Sequence, residues 1–433
     1  MNIFEDLKWR GLLYDSTEGA EAHLAQGNVS HYIGFDPTGA SLHVGSLLQI
    51  LNLARMQRFG HSPIALVGGG TGLIGDPSGK TVERQLLSVE QVEANCAGIR
   101  AQLERFLDFD TKKNPARLVN NGEWLTKIPM VDFLRDVGKY FTVNYMLAKD
   151  SVQRRISSED GISYTEFSYL LLQSYDFLVL NDRYGCTMQM GGSDQWGNIT
   201  AGTELIRKLR QKKAHGVVVP LVTSSTGAKF GKSEAGENYW LDANLTSPYR
   251  FYQFWMNTAD ADVEKYLRFF TFLTKEEIEG LAADQAENPA ARPAQRALAR
   301  EVTTLVHGET AVDRAILSSK VLFGGDLGDL EASDILDIFD DVPSSALAAD
   351  DLAGDGLGIT ELFVRAGLEK SKGAAKRLVR DGGAYVNNQR ISDERHAVKR
   401  DDLLDGTVLV LRKGQKKYHL VTVEGSGEES SGD

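Results

Sequence analysis

Between residues 31 and 222 short apolar runs alternate with stretches of helical spacing. HYIGF (31–35), PIALVGGG (63–70), ARLVNN (116–121), CTMQMGG (186–192) and GVVVPLV (216–222) are strand-like runs closed by Gly, Asn or Pro. Val44, Leu47, Leu48 and Leu51 recur at helical spacing within 42–59, and Gly60 ends that run. Strands alternating with helices predict an α/β fold whose parallel sheet carries helices on both faces. Ligands of such sheets bind beyond the carboxyl ends of the strands. From 248 to 323 the strand pattern stops, and TADADVEKYLRFF and TKEEIEGLAADQA predict a helical domain. Residues 324–356, rich in Asp, Ala, Gly and Ser, read as a linker with one short helix. A small unit over 357–423 ends in the strand-like GTVLVLRKG and KYHLVTV. The acidic tail EGSGEESSGD (424–433) has too little apolar surface to fold and is expected to be disordered.

Composition narrows the class. The chain has 433 residues, 42% of them hydrophobic and 25% charged, enough for two or three globular domains. A formal net charge of -12 argues against indiscriminate nucleic-acid binding but leaves local basic patches open. Two cysteines, Cys96 and Cys186, cannot make a disulfide framework, and no CxxC or HExxH spacing points to a metal. MNIFEDLKWRGLL lacks the apolar core of a signal peptide, and no run of about 18 apolar residues suggests a membrane span. The expected setting is a reducing cytoplasm, with no membrane partner.

Four segments carry candidate chemistry. In YIGFDPTGASLHVGS (32–46) the chain leaves a strand through Gly34, Asp36, Pro37, Thr38 and Gly39. His43 and Ser46 then fall three residues apart, on one face of a helix's first turn. A helix N-terminus suits a phosphate, and Gly39 and Gly45 would let one approach the backbone. Taken alone, His43 reads better as an ordinary capping or core histidine than as a phosphate contact. The second segment, GGGTGLIGDPSGKT (68–81), matches GxGxxG at Gly70, Gly72 and Gly75. Pro77 is ill placed in the helix that a dinucleotide motif needs there. Gly75 and Gly79 are one residue too close for a P-loop. The segment reads better as a glycine-rich active-site loop with its backbone near a ligand.

The third segment, ISYTEFSYLLLQSYDFLVLN (162–181), has Ser163 and Glu166 at capping-box spacing, so a helix starts there. The helix is apolar nearly all round, yet Tyr169, Gln173 and Asp176 at i, i+4 and i+7 make one polar stripe. Buried polar groups require partners, supplied either by the protein or by a polar ligand. The pattern favours a ligand. The fourth segment, AKFGKSE (228–234), sets two lysines three apart around a glycine, where a loop could bring ammonium groups to polyphosphate.

Taken in order, YIGFDPT, LHVGS, GLIGDPSGK, TEFSYLLLQSYDF, GGSDQWGNI and KFGKS resemble the bacterial-type tyrosyl-tRNA synthetases, class I aminoacyl-tRNA synthetases. The resemblance runs from about residue 3 to 423. It implies a Rossmann-like catalytic domain over 1–222 and a loop segment with KFGKS over 223–247. It implies an anticodon-binding helical domain over 248–323 and an S4-type α+β RNA-binding domain over 357–423. Its chemistry is activation of L-tyrosine by ATP with Mg2+, without a protein metal site, followed by transfer to the 3′ end of tRNA(Tyr). Such catalysis is positioning and electrostatic stabilisation, with no covalent enzyme intermediate.

By matching positions, Tyr32 and Asp176 would hydrogen-bond the tyrosine hydroxyl. Tyr169, Gln173 and Asp76 would hold its amino group, with Gln195 nearby and Asn121 supporting Tyr169. Gly34, Asp36, Gly45 and Gly192 would approach the adenylate and Asp194 its ribose, with Gln49 also near the ribose. Thr38 and His43 would face the β- and γ-phosphates, supported by Lys80 and Arg84. Lys229 and Lys232 would close over pyrophosphate. The family's His-Ile-Gly-His reads His43-Val44-Gly45-Ser46, so a serine stands at the second histidine's position. FLRDVGKYFTVNYMLAKDSV (133–152) matches the insertion at which members dimerise, implying a homodimer with one tRNA spanning both subunits. Candidate phosphate contacts are Arg207, Lys208, Arg210, Lys212 and Lys213, then Lys372, Lys376, Arg377 and Arg380, then Arg412, Lys413, Lys416 and Lys417. Two other readings compete: a nicotinamide-dependent dehydrogenase built on GTGLIG, and a non-enzymatic RNA-binding protein descended from a synthetase.

Overall fold

The computed structural model describes residues 1–78, 86–158, 161–225, 230–232, 236–321, 327, 330–339, 342–414 and 417–424. Lys80, Arg84, Lys229, Lys416 and nearly all of the acidic tail lie outside them. The chain forms two compact units, one of residues 1–246 and 255–306, the other of 247–254 and 307–433.

The first unit is built on a six-stranded sheet. Its strands are β1 (Asp15–Ser16), β2 (Ser30–Phe35), β3 (Ser62–Val67), β4 (Arg117–Asn120), β5 (Met188–Gly192) and β6 (His215–Val219), in the order β1-β6-β5-β2-β3-β4. All five expected strands are present. The sequence reading missed only the two-residue β1, which pairs antiparallel with β6 while the rest run parallel. β5 and β6 are buried along their whole length, as strands covered on both faces must be. Chain order reverses between β2 and β5, so a crevice opens beyond their carboxyl ends. Among the described residues no helix is long and apolar enough to cross a membrane.

Two buried ionic devices hold helices to this sheet. The helices Ile3–Arg10 and Val44–Arg58 bring Arg10 and Arg55 together around Asp6, at 3.0 and 3.5 Å. The two guanidinium groups also donate to the carbonyls of Arg268, Phe269, Thr271 and Leu273, where the helix Asp260–Phe270 ends. They thereby satisfy helix-terminal acceptors that have no intrahelical partner. The second device concerns the helix Tyr164–Tyr184, which starts where expected, with the Ser163 hydroxyl accepting from the Glu166 N–H. The reciprocal half of the expected capping box is absent, because the Glu166 carboxylate turns instead to Arg155 at 2.9 Å, both buried.

The second unit carries a five-stranded sheet in the order 389–390, 384–386, 408–413, 417–424, 344–348, antiparallel except at its last pair. Leu409, Leu411 and Val421 face one core with Leu362 and Phe363, while Val408, Val410 and Leu420 face another with Ile335 and Phe339. The stretch read as a linker thus contributes more than one short helix. Its helix Ala332–Ile338 covers one sheet face, and its strand Ser344–Ala348 pairs with Lys417–Glu424. Five helices occupy 248–321, and the division between units falls inside that stretch.

Removing one partner of a buried ion pair strands the other charge. Arg155→Ala is therefore expected to lower unfolding stability by about 3–5 kcal/mol in denaturant titration, and the double change Arg155→Met, Glu166→Leu by far less.

Candidate active site

A cavity of about 470 Å³ occupies the crevice between β2 and β5. Tyr32, Gly34, Asp36, Thr38, His43, Gly45, Ser46, Asp76, Tyr169, Gln173, Asp176, Gly192, Asp194 and Gln195, fourteen of the residues marked out by sequence, all line it. Gln49 and Asn121 line it as well.

At its helix end the fold follows from one glycine. His43 is the N-cap of the Val44–Arg58 helix, and its Nδ1 accepts the Gly45 N–H at 3.0 Å. That bond leaves the proton of the neutral imidazole on Nε2. A Cβ at position 45 would lie 2.7 Å from the imidazole, so the cap requires glycine. The capping reading of His43 therefore holds, and the same ring lines the cavity. The backbone of 42–44 is paired with a second segment: Val44 N–H donates to Tyr239, Leu241 N–H to Leu42, and Tyr239 N–H to Gly231. The KFGKS segment is thus joined to the helix start. Lys232 is exposed, donates to the Gly236 carbonyl at 2.8 Å, and does not line the cavity.

The glycines of 68–72 serve packing. A Cβ at Gly68 would come within 2.3 Å of the Asp36 carboxylate, and one at Gly72 within 2.8 Å of Pro37. Gly68 lines the cavity together with Thr71, Asp76 and Ser78 of the same loop, while Gly69, Gly70 and Gly72 do not. Gly68 and Gly72 let the loop press against the turn after β2.

Each residue of the polar stripe has a partner within the protein, and all three also line the cavity. Tyr169 donates to Asp36 Oδ2 at 2.9 Å, and Thr71 donates to Asp36 Oδ1 at 2.8 Å. Asp176 accepts from Asn121 at 2.8 Å and from the Trp124 indole at 2.7 Å. Asn121 also donates to Thr71 and accepts the Gly70 N–H, so its amide serves Asp176 and the loop, not Tyr169. Gln173 donates to Gln195 at 3.2 Å, and Gln195 donates to Asp76 at 2.7 Å. Sequence reasoning missed Thr71, Trp124 and Asn198. Asn198 binds both glutamines from three residues beyond Gln195, a spacing that was readable at a helix start.

One hydroxyl stands apart. Tyr32 Oη is buried and has no hydrogen-bond partner among the described residues. Burial, then the Asp176 carboxylate, holds its phenol well above the usual range, so it remains a donor. Burial also pushes the Asp176 carboxyl up to about 8, against the lowering effect of its Asn121 and Trp124 bonds. Among the described residues no cluster of His, Cys, Asp or Glu suited to a metal is present.

Residues 24–324 match the family model of class I tRNA synthetases (W and Y), and residues 334–421 that of the tyrosine–tRNA ligase SYY-like C-terminal domain. The tyrosine–tRNA ligase of Roseiflexus castenholzii is 57% identical over 97% of this chain and 99% of its own. The chain belongs to the tyrosine–tRNA ligase family. The Bacillus caldotenax ligase is 52% identical over 97% of this chain and 99% of its own. The C-terminally truncated mitochondrial tyrosyl-tRNA synthetase of Aspergillus nidulans superposes with a TM-score of 0.68 at 32% identity, over 74% of this chain and 94% of that one. This tyrosine–tRNA ligase family member is accordingly an aminoacyl-tRNA ligase, which removes the dehydrogenase and non-enzymatic readings.

Among the basic candidates, Arg207, Arg210, Lys372, Arg380 and Lys413 sit in ion pairs with neighbouring carboxylates. Arg412 is buried, its guanidinium 3.7 Å from the Tyr385 ring centre, and bonds to Asn388 and the Gly414 carbonyl. It is packed into the small unit and is no free phosphate contact.

Because the Tyr32 hydroxyl is buried without a partner, Tyr32→Phe is expected to raise the stability of the ligand-free protein by about 1 kcal/mol in thermal unfolding.

Proposed function

We propose that this cavity binds L-tyrosine and ATP side by side, forms tyrosyl-adenylate, and passes the tyrosyl group to the 3′ end of tRNA(Tyr). The observation that carries the reading is the unpartnered Tyr32 hydroxyl on a cavity wall that also holds the Asp176 carboxylate. A phenol between them accepts from Tyr32 and donates to Asp176. Phenylalanine would leave the Tyr32 hydroxyl unpaired and give Asp176 no donor beyond Asn121 and Trp124, the form of discrimination for which tyrosyl-tRNA synthetases are the usual illustration. Tyr169, Gln173, Asp76 and Gln195 would hold the ammonium group, whose charge suits the carboxylates of Asp76 and Asp36.

ATP, entering with Mg2+, takes the glycine end. Gly34, Asp36 and Gly192 approach the adenylate and Asp194 the ribose, while Thr38, His43 and Ser46 meet the phosphates beside the positive end of the helix, Gly45 leaving room for them. A tyrosine carboxylate oxygen attacks the α-phosphorus, the bond to the β-phosphate oxygen breaks, and pyrophosphate departs. Lys229 and Lys232 would then act on the leaving group as negative charge gathers there, strengthening at the transition state. The main-chain bonds that tie Tyr239 and Leu241 to 42–44, and Tyr239 to Gly231, support this by holding Gly231 beside the helix start.

A second cavity of about 430 Å³ adjoins through Asp194 and Leu221 and carries Lys149, Arg154 and Trp196, charge and stacking surface suited to a tRNA end. The exposed apolar Met130, Val131 and Leu134 on the helix Met130–Asp136 support a homodimer, and the free, buried Cys96 and Cys186 suit a reducing cytoplasm.

The reading predicts tyrosine-dependent exchange of labelled pyrophosphate into ATP; its absence with the full chain, Mg2+ and tyrosine overturns it. A phenol donating to Asp176 favours the carboxylate, and burial holds the empty site's carboxyl near 8. Tyrosine affinity is therefore expected to rise between pH 6 and 8, by up to about tenfold per pH unit, and to level off above that. Calorimetry checks this, with proton release on binding at pH 7; Asp176→Asn is expected to abolish the dependence.

A further inference from the structure

The turn between β2 and the Val44–Arg58 helix buries Ser41 and Leu42, so their peptide groups need partners inside the protein. One side chain supplies the partner of the Leu42 N–H and braces the Ser41 hydroxyl. Gln102, buried on the helix Val89–Leu103, accepts the Leu42 N–H through Oε1 at 2.8 Å and donates through Nε2 to the Ser41 hydroxyl at 2.8 Å. Ser41 in turn donates to the Leu42 carbonyl at 2.7 Å. The same carbonyl accepts the Leu241 N–H at 2.8 Å, the bond that begins the pairing with the KFGKS segment.

The rest of that helix face supports the same turn. Asn95 donates to the Pro37 carbonyl at 3.0 Å, and a Cβ at Gly98 would fall 2.3 Å from the Ala40 carbonyl oxygen. Residues 95, 98 and 102 lie at i, i+3 and i+7, one stripe of the helix. Beside it the buried Val92, Cys96, Ile99 and Leu103 anchor the helix in the core. The helix is a splint: one row fixed in the core, the next row fixed to the turn that ends at His43.

We infer that Gln102 is a positioning residue for the reaction. It does not line the cavity, but it holds the N–H of Leu42, which does; the Leu42 carbonyl leads into His43 and accepts the Leu241 N–H. The tyrosine end, on Tyr32, Tyr169 and Asp176, is built from β2 and the Tyr164–Tyr184 helix and does not rely on this clamp. The inference rests on the reading that ATP phosphates occupy the His43 end. It assigns Gln102 to the ATP side alone.

The test is Gln102→Leu, near in size and without hydrogen bonding, measured by pyrophosphate exchange and by tyrosine calorimetry. A reacting group displaced by about 1 Å can lose a hundredfold, so kcat/KM for ATP is expected to fall about 10- to 100-fold. Tyrosine affinity should change by less than about twofold. Gln102→Glu, which keeps the acceptor for Leu42 N–H, is expected to recover part of the loss, and it serves alone if the leucine variant does not fold. Unchanged ATP parameters in the leucine variant overturn the inference, as does an equal loss of tyrosine and ATP affinity in either variant. If the wild-type chain shows no tyrosine-dependent exchange at all, the proposed function fails; an active wild type with indifferent variants sinks the positioning role alone.

Discussion

A buried chain of hydrogen bonds joins two carboxylates across the cavity, and the geometry of the site depends on it. Asp36 accepts from Thr71, Thr71 accepts from Asn121, and Asn121 donates to Asp176. Tyr169 closes a second arm onto Asp36. Through these bonds the turn after β2, the loop after β3, the residue after β4 and the Tyr164–Tyr184 helix share one network in a low-dielectric interior. An unpaired member of such a network is costly, so the four elements hold one arrangement. The network uses nearly every polar atom it contains. The Tyr32 hydroxyl, left over beside it, is a group that a ligand can satisfy, as are the side-chain oxygens of Gln49 and Gln189, which also line the cavity and have no partner among the described residues.

The two ends of the cavity are constructed differently. The end at Tyr32 and Asp176 is side-chain chemistry, where Asp176 already takes two bonds and burial holds the rest in place. The end at His43 is backbone chemistry: a helix start, a glycine packed against the His43 cap, and a neighbouring segment held by main-chain bonds. Rigid recognition at one end and a paired segment at the other suit a reaction whose charge develops only on the departing phosphates.

Much of this was readable in the chain. The five long strands announced themselves by apolar runs closed by glycine or asparagine, and the Tyr164–Tyr184 helix by Ser163 and its polar stripe. Tyr169, Gln173 and Asp176 were readable because polar residues on an otherwise apolar helix demand partners; Tyr32, Asp76, Gly192, Asp194 and Gln195 were legible only through the family resemblance. Which partner was not readable. Glu166 sits at capping-box spacing yet pairs with Arg155, eleven residues back and outside any local pattern. The glycines of 68–72 looked like a ligand loop because spacing alone does not distinguish close approach to a phosphate from close approach to Asp36 and Pro37. The strand at 344–348 stayed hidden because Ser and Ala carry little strand preference, and its pairing with 417–424 is non-local.

The central claim is that Tyr32 and Asp176 together read a phenolic hydroxyl. Competitive binding of tyrosine and phenylalanine to the wild type and to Tyr32→Phe measures this most directly. A strong wild-type preference for tyrosine that shrinks by tenfold or more in the variant is the predicted result. An identical preference in both proteins would contradict it, because the orphan hydroxyl would then have no part in choosing the amino acid.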